Sequence, residues 1–147
     1  MPLTFGLKTP RDLFDKLKRD AALLEEEVTS DGLFNFVVTG YSIIDWLKHE
    51  PSAPQAATLA MYQNQWIKIC GDLATACKHF ELTRRKPITT DAKSGRGWGR
   101  GRWGKGGYGI GEEDILIELN DGSSLNSFEL VERVVETWDK FFLSCGL

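Results

Sequence analysis

The sequence predicts a mostly α fold: a four-helix bundle-like domain with an inserted β-hairpin and a long basic Gly-rich loop. Three observations carry that prediction. Apolar residues recur at helical spacing through most of the chain, the period switches to strand-like alternation after residue 113, and nine of the fifteen glycines fall between residues 93 and 111. At 147 residues and 41% hydrophobic content, residues 1–147 read as one helical domain with enough apolar surface for a single core.

The first helix starts at Thr9-Pro10. A hydroxyl cap precedes a proline whose missing N–H costs nothing there, and Asp12 lies in the first turn. Leu13, Phe14, Leu17, Ala21, Leu24 and Val28 then follow on one face, until Ser30-Asp31-Gly32 ends the pattern. A second helix is expected from about Gly32 to Lys48. Its apolar residues, from Leu33 to Leu47, wrap most of its circumference, so it reads as the most buried element. His49 to Pro54 breaks the chain, because a residue before proline is pushed out of helical geometry. From Gln55 to about Leu82 the helical pattern returns with Leu59, Tyr62, Trp66, Ile69, Cys70, Leu73, Cys77 and Phe80. So long a run suggests a kink near Gly71.

Residues 83–113 read as the basic loop insertion and 114–126 as the hairpin. Asp114 to Leu119 is the first strand, Asn120-Asp-Gly-Ser123 the turn and Ser124 to Asn126 the return. Asn126 or Ser127 caps a last helix, with Glu129 at the capping-box position and Leu130, Val134, Trp138, Phe141 and Phe142 on its apolar face.

Charge is distributed unevenly. Between Thr83 and Gly111 stand eight basic residues, Arg84, Arg85, Lys86, Lys93, Arg96, Arg100, Arg102 and Lys105, against one acid, Asp91; the rest of the chain holds ten basic and twenty acidic residues. Such asymmetry points to an anionic partner, or to a loop lying on an acidic face of its own protein or of a second copy. Within the tract, Trp98, Trp103 and Tyr108 interleave with the cations. That composition suits stacking on single-stranded bases while Arg84, Arg85, Lys86, Arg96, Arg100, Arg102 and Lys105 meet phosphates. It equally suits aromatics folded back on the helices with solvated arginines. Gly99 to Lys105 matches the G-x-x-x-x-G-K phosphate loop, but Gly106 replaces the metal-binding Ser or Thr, and no buried strand precedes it. Glycine density explains the match.

A second cluster is Asp72, Lys78 and His79, an acid and an imidazole two turns apart on one helix face with an ammonium beside them. Those groups suit orienting or protonating a substrate, and they suit a plain structural network as well. Cys70, Cys77 and Cys145 contain no CxxC pair, so neither a zinc site nor a disulfide framework is expected, and the reading is a reducing, cytoplasmic compartment with no cofactor. No apolar run reaches membrane-spanning length, and Met1 to Lys8 does not read as a signal peptide.

Asp72-Leu-Ala-x-x-x-Lys-His-Phe80, after the apolar helix with Phe36 to Trp46 and before the hairpin and a final Thr-Trp-Asp-Lys-Phe-Phe142, resembles bacterial helical proteins of the HEPN-like kind over residues 30–142. The resemblance implies a small helical bundle that pairs as a homodimer, a bacterial source and an association with RNA. Active members are metal-independent ribonucleases using Arg-x4–6-His. Here Asp72, Leu73 and Ala74 occupy the arginine positions before His79, and Ser42, Ile43 and Ile44 those before His49, so the arginine is missing. Three readings follow: a non-catalytic module for single-stranded nucleic acid or another polyanion; a degenerate ribonuclease at Asp72, Lys78 and His79; and a homodimeric structural or interaction protein.

Overall fold

In the computed structural model, residues 3–80, 86–97 and 112–147 are described. The chain is mostly helical, with a small antiparallel sheet. Element order is α1 (Pro10–Glu26), α2 (Ser30–Lys48), α3 (Gln55–Ala60), a 3-10 turn (Met61–Gln63), α4 (Gln65–His79), β1 (Thr89–Gly97), β2 (Glu112–Leu119), β3 (Ser124–Asn126) and α5 (Ser127–Cys145).

The N-terminal signals act as expected. The Thr9 hydroxyl accepts the Asp12 N–H at 3.1 Å, and the Asp12 carboxylate takes the Lys8 and Thr9 N–H groups at 2.8 and 3.0 Å, closing a capping box. Helix α2 begins two residues earlier than the glycine suggests. Thr29 caps it by accepting the Gly32 N–H at 2.9 Å, so Ser30-Asp31-Gly32 opens the helix.

The expected single helix from Gln55 to Leu82 is divided. Helix α3 tightens into the 3-10 turn and stops at Asn64, whose extended backbone (φ −66°, ψ 131°) ends one helix while its side chain caps the next through the Trp66 and Ile67 N–H groups. The break therefore lies at Asn64, and Gly71 sits buried inside α4. A polar cap inside a continuous apolar pattern sets the division.

Helix α2 touches α1, α3, α4 and α5. Its approach to α4 and α5 is close because Gly40 has no side chain: a Cβ there would lie 3.1 Å from Cys70 Sγ and 3.4 Å from both Leu17 and Val134. The fully buried Trp138 donates its indole N–H to the Gly40 carbonyl at 3.0 Å, so the largest core side chain is satisfied against that same residue. Phe14 of α1 stacks on Phe142 of α5 at 4.9 Å. Each such buried aromatic contributes about 1.5–3 kcal/mol of transfer free energy.

The sheet corrects the loop reading of residues 83–113. Strand β1 occupies Thr89–Gly97 within that span and pairs antiparallel with β2, which in turn pairs with β3. The expected turn is present, with Gly122 at φ +86° and the Asp121 carboxylate holding the Ser123 N–H at 2.8 Å. Ile115, Ile117 and Leu119 of β2 face the core, whereas Ala92, Lys93 and Ser94 of β1 are exposed. Alternating apolar residues make β2 legible. Strand β1, rich in threonine, glycine and charge, buries little and exists because β2 offers it a ladder.

Candidate functional site

The root of β1 is anchored by two side chains from distant parts of the chain. Asp72 of α4 is buried (1% exposed), and its Oδ2 accepts the backbone N–H of Ile88 at 2.8 Å and of Thr89 at 3.0 Å. Asn120, in the β2–β3 turn, donates its amide to the Pro87 carbonyl at 2.6 Å and its own N–H to the Ile88 carbonyl at 2.9 Å. The Thr90 hydroxyl donates to Asn120 Oδ1 at 2.8 Å. Charge-assisted bonds to two consecutive N–H groups make Asp72 a clamp for the strand, with a net worth of roughly 1.5–3 kcal/mol per bond.

From this root the ladder continues along the core-facing strand β2. Its last partners are Arg96 with Glu113 and Gly97 with Glu112. Residues 98–111 therefore connect two chain ends already held side by side, which makes the basic aromatic tract the connection of a hairpin. Trp98, Arg100, Arg102, Trp103, Lys105 and Tyr108 lie outside the described residues, as do Arg84 and Arg85.

Of the basic residues that are described, Lys86 is exposed beside the root. Lys93 lies 3.0 Å from Asp91 and 3.7 Å from Glu118. Asp91 bonds Lys93 and is held below the ordinary carboxylate value by it, while Lys93 is raised, chiefly by the same bond. The cation at Lys93 thus faces carboxylates of its own sheet.

The structure does not bring Asp72 together with Lys78 and His79. Asp72 is committed to β1, whereas Lys78 and His79 are exposed and line a groove of about 510 Å³ between α2 and α4. Its other walls include Phe34, Tyr41 and Tyr62, the two tyrosine rings meeting edge to face at 6.3 Å. The hydroxyls of Ser42 and Thr75 there are taken by the carbonyls of Val38 and Gly71 at 2.6 and 2.7 Å. The groove offers aromatic surface, one ammonium, one imidazole and the carboxylate of Asp45 from α2, in place of the Asp72 that helical spacing puts on their face.

Sequence reasoning missed Asn120, read only as a turn residue. Its turn position is legible, but its bonds to Pro87, Ile88 and Thr90 depend on strand pairing that no local pattern announces. Among the described residues no group of three His, Cys, Asp or Glu side chains is placed to hold a metal ion, and no helix is long and apolar enough to cross a membrane. Compared with known proteins, the chain matches no family model, no curated protein and no solved structure.

Proposed function

We propose that the chain is a non-catalytic module that binds single-stranded nucleic acid, or another polyanion, through Lys86, Arg84, Arg85 and the tract from Arg96 to Tyr108. The pairing of Gly97 with Glu112 supports this reading most directly. A tract begun and ended by one ladder has its loop closure already provided by strand pairing, which lowers the entropic cost of presenting its cations and rings together. The Asp72 clamp ties that ladder to a rigid helix. Each stacked base would contribute about 1–3 kcal/mol, and each phosphate contact a salt-dependent increment.

Fluorescence anisotropy with a single-stranded oligonucleotide tests the reading. Affinity is expected to fall steeply with salt. Replacing Arg100 and Arg102 together by alanine is expected to reduce the magnitude of the logarithmic salt slope by about 1.4. No measurable binding at low salt, or an unchanged slope in the double variant, would defeat it.

In the same reading the four long helices form a bundle-like scaffold that pairs as a homodimer in a bacterial cytoplasm, which sedimentation of the purified chain tests at the level of assembly. The ribonuclease alternative retains Lys78 and His79 in one groove but loses Asp72 to the sheet. Metal-free cleavage of RNA by the wild type that vanishes in His79→Ala would restore that alternative.

A further inference from the structure

A separate groove of about 310 Å³ lies between the N-terminal segment and the end of α2, with Leu7 and Pro10 on one side and Asp45, Trp46, His49 and Glu50 on the other. We propose that it binds a small organic ammonium ion, its charged head lying against the Trp46 indole between the Asp45 and Glu50 carboxylates. The proposal is independent of the polyanion reading.

Three features favour a cation there. The half-buried Trp46 presents an indole, the aromatic ring that attracts cations most strongly. The groove lies at the last turn of the 19-residue helix α2, where the aligned peptide dipoles leave partial negative charge. Two carboxylates border it. Asp45 is exposed, and Glu50 uses one oxygen to take the Ser52 N–H and hydroxyl at 3.3 and 2.7 Å. His49 is turned to the helix end: its Nδ1 bonds the Asp45 carbonyl at 2.8 Å, so that nitrogen carries the hydrogen.

The opposing charges are few. Lys8 also lines the groove, yet among the described residues it forms no ion pair with Asp45 or Glu50. The positive end of α1 nearby is covered by Asp12, which takes the Lys8 and Thr9 N–H groups. Lys48, in the last turn of α2, is engaged chiefly by Tyr62, 5.0 Å from its ring centroid, and more weakly by the Asp45 charge, so it competes for that carboxylate. Apolar walls at Leu7 and Pro10 suit the carbon substituents of an organic cation better than a hydrated metal ion.

The probe is choline, with its uncharged isostere 3,3-dimethylbutan-1-ol as control, read by saturation-transfer NMR and titration calorimetry on the intact chain. Choline is expected to bind and the isostere not. Asp45→Asn and Trp46→Leu are each expected to weaken choline by about three- to thirty-fold, and Lys8→Ala to tighten it. Asp45 is exposed, so its variant remains informative if the Trp46 variant fails to fold by circular dichroism. Equal signals from choline and its isostere, choline binding indifferent to Asp45→Asn, or weaker binding in Lys8→Ala would overturn the proposal.

Discussion

The carboxylate of Asp72 accepts the backbone N–H of Thr89 at 3.0 Å, joining the middle of α4 to the first residue of β1 across seventeen positions of sequence. With the neighbouring bond to Ile88, it converts a buried acid on a helix face into the anchor of an otherwise exposed strand. Asp72→Ala leaves two N–H groups without their acceptor and is expected to destabilise the fold by about 3 kcal/mol in urea denaturation. Amide exchange should show Ile88 and Thr89 losing protection together. A change below about 1 kcal/mol, with both amides still protected, would mean that the hairpin is held elsewhere.

Thr89 contributes a second, opposite expectation. Its hydroxyl is buried without a hydrogen-bond partner among the described residues, although its N–H is satisfied. Thr89→Val removes that hydroxyl at nearly constant shape and is expected to stabilise the chain by about 1 kcal/mol. A lowered urea midpoint in this variant would show that the hydroxyl has a partner in solution.

Gly40 allows α2, α4 and α5 to meet. In Gly40→Ala the new methyl would sit 3.1 Å from Cys70 Sγ and press on Leu17 and Val134, while the Trp138 indole needs the Gly40 carbonyl where it is. The expected cost is about 1–3 kcal/mol, although alanine has the better helix propensity. Thermal unfolding with an unchanged midpoint would show that the three helices separate without penalty.

Asp12 supplies the pH dependence of the first helix. Backbone bonds from Lys8 and then Thr9 hold its carboxyl below its ordinary value. The group therefore stabilises the folded state above the unfolded value, near pH 4, and that contribution is lost as pH falls through the lower, folded one. Denaturant midpoints of the wild type are expected to fall across that acid window. Asp12→Asn should flatten the decline, and parallel acid limbs in the two proteins would contradict this assignment.

Lys78 and His79 show how much of the candidate site local reasoning reaches. Their exposure at the end of α4 follows from helical phase, but the groove they line is formed by Tyr41 and Tyr62, which come from other elements. Asp72 shares their helix face by spacing and serves a different neighbour in space.

Local chemistry alone determined the helix starts at Thr9 and Asn126, the turn at Gly122 and the apolar faces of α1, α2 and α5. Each depends on bonds within a few residues or on a period set by 3.6 residues per turn. Only the tertiary structure decided that Asn64 divides the third helical run, that Thr89–Gly97 is a strand and that Asp72 anchors it. Strand pairing and buried acceptors are settled by partners distant in sequence, and β1 carries no apolar alternation of its own because one exposed edge strand needs none.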